Sequence, residues 1–146
     1  MTTQQRSLGC CYYPEHWSPE IWQTDVEKMV KAGLTWVRIG EFAWSRLEPQ
    51  AGHYNWDWLD SAISMLGRAG LKVVLGPPQP PPKWLLDQMP DMVAFDRVGR
   101  PRKFGARRHY CFNHAGYRQH CARIVTELAM RYQSNRDIAA WQTDSE

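Results

Sequence analysis

No segment of this chain approaches the ~20 consecutive apolar residues that a membrane-spanning helix requires, so no membrane partner is expected. The opening stretch Met1-Thr2-Thr3-Gln4-Gln5-Arg6-Ser7 is polar and lacks the apolar run of a secretory signal. Cysteine is scarce and scattered. Cys10, Cys11, Cys111 and Cys121 fit neither a disulfide framework nor a paired CxxC metal site. These absences together predict a reduced, cytoplasmic protein. A strong charge of one sign is also missing, since the formal net charge is only +3. The basic residues that do stand together, Arg97, Arg100, Arg102, Lys103, Arg107 and Arg108, are interleaved with Gly99, Pro101 and Gly105, which is loop composition. Such a run could follow phosphates, but acids and bases mix elsewhere, so no nucleic-acid partner is expected. No internal repeat or hinge linker appears, and residues 1–146 read as one unit.

Tryptophan is abundant, with 8 in 146 residues. A flat indole face suits a sugar ring, although core packing is the commoner use. Leu8 to Tyr13 is a short apolar run ended by Pro14, consistent with a first buried strand. Ser18-Pro19-Glu20 then reads as a helix start with a Ser cap, Pro at the first helical position and an acid in the first turn. Trp22, Val26, Met29 and Val30 form its apolar stripe, and Gly33 stops it. Residues 35–40 form a second strand, with Val37 and Ile39 on one face and Trp36 and Arg38 on the other. Asn55 or Asp57 caps the next helix, with Leu59, Ile63 and Leu66 as its stripe and Gly70 as its end. Residues 71–76 form the third strand, and residues 138–143 the fourth, after a long helix marked by Tyr117, Cys121, Ile124, Val125, Leu128 and Tyr132. A helical segment between successive strands predicts a parallel sheet with right-handed crossovers.

The connecting stretches carry the chemistry. Glu41 to Pro49 leaves the second strand as a loop rich in functional groups. Five prolines among residues 77–82 read as a stiff loop, with a polyproline ligand as the alternative. Residues 92–113 form a polar, basic excursion of a length that is more often functional than idle. Arg38, if it points into a barrel, needs an anionic partner, either at a site or as a structural acid. Glu146 follows the fourth strand, and in a (β/α)8 barrel catalytic groups sit at the C-terminal ends of the strands. The plain alternative is a surface acid at a frayed end.

Three stretches resemble the N-terminal part of the family 42 glycoside hydrolases, the prokaryotic β-galactosidases. They are residues 12–17 (Tyr-Tyr-Pro-Glu-His-Trp), residues 38–49 from Arg38 to Pro49, and residues 104–111 from Phe104 to Cys111. The closing Trp141-Gln142-Thr143-Asp144-Ser145-Glu146 is similar to that family's Trp-Gln-x-Asp-Asn-Glu. The resemblance implies an α/β fold, a (β/α)8 TIM barrel of which this chain supplies the N-terminal half, about four βα units. Its 146 residues are well short of the ~250 of a closed barrel.

The resemblance further implies hydrolysis of terminal non-reducing β-D-galactosides with retention, the partner being a β-galactoside or galacto-oligosaccharide. Glu146 matches the general acid/base after strand four. The nucleophile Glu belongs to strand seven, outside these residues, so the 146 residues alone are expected to be inactive. Glu41 is the one substitute worth considering, and strand two does not neighbour strand four. Arg107 matches a substrate-contacting Arg, with Arg108 beside it as the surface member of the pair. Arg38 matches an Arg that supports the nucleophile. Ser145 stands where the family has an Asn that donates to the sugar 2-hydroxyl. No cofactor is required. Cys111 matches a zinc-ligating position and would bind only with downstream cysteines, so the resemblance leaves room for a structural zinc and a homotrimer in the full-length protein. A different reading keeps the barrel half as a non-catalytic galactoside-binding or remnant protein, which Ser145 and the missing nucleophile favour.

Overall fold

The computed structural model describes residues 7–143. In chain order the elements are β1 (Gly9–Cys11), α1 (Pro19–Lys31), β2 (Trp36–Ile39), α2 (Trp44–Leu47), α3 (Asp57–Arg68), β3 (Lys72–Leu75), α4 (Lys83–Gln88), α5 (Ala115–Tyr132) and β4 (Ile138–Trp141). Short 3-10 turns occupy Pro14–His16 and Pro90–Met92. The chain divides into two compact units. The first contains the residues up to Glu41, Trp56–Pro77 and the residues from Asn135 onward; the second contains Phe42–Asn55 and Pro78–Ser134.

The first unit holds a four-stranded sheet in the order β1-β2-β3-β4, every pair parallel. Alternation along β2 and β3 puts Val37, Ile39, Val73 and Leu75 on one face, all without solvent exposure. Each such aliphatic side chain removed from water contributes about 1.5–3 kcal/mol. Leu59, Ile63 and Leu66 on α3 are buried as their spacing predicts, and α3 packs against β3 and α1. Gly33 and Gly70 follow α1 and α3 at φ 78° and 80°, a left-handed position where a Cβ would be strained. At Gly9 the reason for glycine is room: a methyl there would stand 2.9 Å from the Trp36 Cβ and carbonyl oxygen, so β1 could not close on β2.

Several local expectations are corrected. Ser18 occupies the cap of α1, but its hydroxyl donates to the Glu20 carboxylate at 2.8 Å and makes no cap bond. The cap of α3 is Trp56, with no side-chain cap bond; Asn55 lies before it and Asp57 is already inside the helix, where its acid favours the positive N-terminal end. Val30 and Val125, placed on apolar stripes by periodicity, are exposed. Each lies at the margin of its stripe, where a helix turns away from what it covers.

In the second unit, α2 forms inside what reads as a loop, because Trp44 and Leu47 are both buried there. Glu48, at its end, has no solvent exposure. Its carboxylate accepts from Trp44 Nε1 at 2.9 Å, from the Gly52 NH at 2.7 Å and from Arg123 of α5 at 2.8 Å. Arg123 also donates to the Tyr54 hydroxyl, and Trp84 Nε1 donates to the Glu48 carbonyl at 2.9 Å. One buried acid thus gathers α2, α4 and α5. His114 caps α5, its Nδ1 accepting from the Tyr117 NH at 3.1 Å. Ile124, Leu128 and Tyr132 continue that helix's buried face.

Candidate functional site

The C-terminal ends of the strands in the first unit carry a polar cluster. Arg38, on β2, faces away from the aliphatic layer. Its Nη2 donates to Glu41 Oε2 at 2.6 Å and its Nη1 to Gln142 Oε1 at 2.7 Å. The Glu41 side chain is 6% exposed, and the Tyr13 hydroxyl lies within 3.5 Å of the same oxygen. The anionic partner that Arg38 requires is therefore Glu41, three residues along the chain. Burial works against the Arg38 charge, and the adjacent carboxylate outweighs it, holding the guanidinium above its ordinary pKa. Arg38 Nε is buried and has no hydrogen-bond partner among the described residues. The cluster thus offers one fixed cation with a spare donor at the tip of a parallel sheet, which is where barrel folds place their chemistry.

The second unit holds the other candidates. Residues 92–113 are more ordered than their composition predicts. Val93 bridges Tyr110 and Phe95 bridges Pro101. Asp96 accepts from the Val98 and Arg100 NH groups and from Arg100 Nε, each at 2.9 Å, and those donors, the Arg100 NH foremost, hold its carboxyl below the usual range. Arg102 Nη1 donates to the Arg107 carbonyl at 2.8 Å. The basic run is in this way partly knit into its own loop, which accounts for how so many cations fold close together. Arg107 is exposed, and Arg108 takes φ 51° with its guanidinium over the Phe112 ring. A positive φ at a residue with a Cβ is uncommon and often marks a functional turn. His109 beneath them is fully buried, its Nδ1 within 3.1 Å of the Ala106 carbonyl.

Cys111 is half-buried with a free thiol. Among the described residues no three His, Cys, Asp or Glu side chains converge as a metal site. A structural zinc takes about four ligands, so the single thiol does not fit one without others from outside these residues. Ser145 and Glu146 lie outside the described residues. Arg38 belongs to the first unit, and Arg107 and Cys111 to the second. Among the described residues no helix is long and apolar enough to cross a membrane.

Sequence reasoning missed Gln142 as the partner of Arg38 and Arg123 as the partner of Glu48. Their separations are 104 and 75 residues, and no local spacing encodes such pairs. The one available signal was the cost of an unpaired buried charge, which required a partner for Arg38 without naming Gln142.

The glycoside hydrolase family 42 model, described as "Beta-galactosidase", matches residues 11–146. A β-galactosidase of Thermus thermophilus is 56% identical over 140 residues, covering 95% of this chain and 22% of that protein. The crystal structure of a β-galactosidase from the psychrophilic Marinomonas ef1 superposes with a TM-score of 0.92 at 49% identity, covering 97% of this chain and 22% of that one. The β-galactosidase of the Antarctic haloarchaeon Halorubrum lacusprofundi gives a TM-score of 0.91 at 47% identity, with 97% and 21% covered. The chain thus spans about a fifth of the length of the relatives it matches, 22% for the first of them. With its parallel four-stranded sheet and its α/β order, the chain belongs to glycoside hydrolase family 42, the β-galactosidases, and supplies the N-terminal half of the family's TIM barrel.

Proposed function

We propose that the protein carrying this chain is a retaining β-galactosidase acting on terminal non-reducing β-D-galactosides. The observation that carries the proposal is the match to family 42 across residues 11–146. A retaining glycosidase works with two carboxyl groups ~5–5.5 Å apart. Glu146 is the general acid/base: it protonates the departing oxygen while the strand-seven carboxylate attacks the anomeric carbon, then takes a proton from the water that releases the sugar. Arg107 binds sugar hydroxyls through its donor fork. Arg38 supports the nucleophile in its ionised form, and its spare buried Nε supports that reading, since a carboxylate is the acceptor such a donor lacks.

The same reading places the enzyme in the cytoplasm, in carbohydrate metabolism, with a galactoside or galacto-oligosaccharide as its partner, and with neither nucleic acid nor membrane. It takes a homotrimer as the assembly. No cofactor takes part in the reaction. Cys111 would be one ligand of a structural zinc completed by downstream cysteines, where the metal's chemistry is to hold chain segments together.

The test is turnover of the full-length protein on matched β-galactosides and β-glucosides, with the anomer of the first-formed sugar read by proton NMR. Preferential release of β-galactose is expected. Release of the α anomer would exclude the double displacement, and tight galactoside binding without turnover would favour the binding protein instead.

Ser145 supplies a second measurement. A family Asn there donates to the 2-hydroxyl, a bond that strengthens toward the transition state. Ser is shorter by one carbonyl carbon and brings a weaker reach. In the full-length protein Ser145→Asn is expected to raise kcat/KM on a galactoside by about 30–150-fold, the equivalent of ~2–3 kcal/mol for one preorganised donor. An unchanged or lower value would show that the serine hydroxyl already serves that sugar oxygen. A 2-deoxygalactoside control should gain nothing from the substitution.

A further inference from the structure

The register between β3 and β4 slips by one residue. Val73 pairs with Ile138, but Val74 pairs with Ala140 and Leu75 with Trp141, so Ala139 is an extra residue in the ladder. Side chains alternate along a strand, so one inserted residue exchanges the faces of everything after it. Without the slip, Gln142 would share a face with Ile138, which stands beside Val73 of the aliphatic layer. With it, Trp141 takes the place beside Leu75, and Ala140 and Gln142 turn to the face of Val74 and Arg38.

That exchange has a visible result. The Gln142 NH donates to the Leu75 carbonyl at 3.0 Å, continuing the ladder, while its side-chain oxygen accepts from Arg38 Nη1 at 2.7 Å. Arg38 and Gln142 are not on neighbouring strands. The guanidinium reaches across β3, where Val74 and Ala140 present only short side chains on that face. Its other terminal nitrogen is held by Glu41. One cation therefore ties the end of β2 to the residue that follows β4, and both backbone and side chain of Gln142 are fixed.

We propose that Gln142 is a positioning residue for the acid/base: the bulge at Ala139 turns it toward Arg38, and the bond between them anchors the chain that leads to Glu146. This rests on the reading of Glu146 given above. A charge-assisted bond fixes an amide more firmly than a neutral one. A reacting group displaced by about 1 Å loses roughly 10²-fold in rate, so an anchor four residues upstream has a large effect without touching substrate.

The test uses the full-length protein. Gln142→Met keeps the side-chain length and removes the acceptor. It is expected to lower kcat by about 10–100-fold, with KM changed less than about threefold, the pattern of an interaction felt in the transition state. Gln142→Glu gives Arg38 an acceptor again, so it should lose less than Gln142→Met. Its added negative charge favours the protonated acid/base, so the alkaline limb of kcat/KM against pH should move upward. A Gln142→Met enzyme with the parent's kcat, KM and pH profile overturns the proposal. If that variant does not fold, Gln142→Glu decides: an unshifted alkaline limb overturns it and an upward shift supports it. A parent protein that hydrolyses no β-galactoside refutes the enzyme reading instead. The anchor is then read by thermal unfolding of Arg38→Lys, Gln142→Met and the double variant, where coupling supports the tie and additivity overturns it.

Discussion

In the full-length protein, Glu146→Gln is expected to lower kcat/KM for an alkyl β-galactoside by about 10²–10⁴-fold, the usual size of a lost general acid–base group. The loss should depend on the leaving group. An alkoxide cannot depart unprotonated near neutral pH, so the first step loses its proton donor entirely. A nitrophenolate leaves without one, so bond cleavage with that substrate should change little. Release of the sugar from the enzyme should still slow, because the same carboxylate activates water in the second step. With the nitrophenyl substrate the variant is thus expected to show a burst followed by slow turnover, and a lower KM as the covalent intermediate accumulates. The parent's rate should fall as pH rises through the acid/base pKa, because only the protonated form donates, and this limb should flatten in Glu146→Gln. Comparing ethyl and nitrophenyl galactosides by stopped-flow decides the matter. Equal losses on both would assign Glu146 a role in binding or folding, with the acid sought elsewhere.

The largest stability effect is expected at Arg123. Its partner Glu48 is fully buried, and removing one member of a buried ion pair costs about 3–5 kcal/mol because a charge is left uncompensated. Arg123→Met removes the cation while keeping much of the side chain's packing. Its pH dependence gives the loss a signature. In the parent, burial pushes the Glu48 carboxyl up, but donors from Arg123, Gly52 and Trp44 outweigh it, and the group lies below its ordinary value. A depressed carboxylate contributes its full stability above the unfolded value of about 4.3. That contribution declines as pH falls below the unfolded value and is gone once the folded value is passed. With Arg123 gone, burial dominates and the folded carboxyl is raised. The variant should then lose stability as pH rises from about 4 toward neutrality, the opposite slope. Urea unfolding of parent and variant across that range measures both slopes. Parallel curves would show that the pair contributes nothing, and Glu48→Gln in the Arg123→Met background should recover part of the loss.

These two residues show where sequence reasoning stops. The reading of Glu146 came from local context alone, an acid after a short apolar strand inside a family motif. Glu48 and Arg123 lie 75 residues apart, and neither spacing nor composition joins them. The short helix α2 was missed for a related reason: four residues give no period to read, and only burial of Trp44 and Leu47 makes them helical. The cap position of α1 was read correctly at Ser18, whose hydroxyl turns instead to Glu20, whereas the cap of α3 was misread because Trp56 is not a cap-forming residue type.

What the sequence determined by itself was the succession of strands and main helices, the parallel sheet and the two faces of β2. Those follow from periods of two and 3.6 and from glycine stops, which act over a few residues and are written locally. The family resemblance was likewise carried by contiguous stretches. The tertiary structure alone decided which charges meet: Arg38 with Glu41 and Gln142, and Glu48 with Arg123. It alone placed the extra residue in β4 that turns Gln142 to the face of Arg38. A strand's alternation can be read along one chain, but a slip of one residue exists only relative to the neighbouring strand. A buried charge likewise announces that it needs a partner, while the fold, by bringing distant segments within 3 Å, chooses which one.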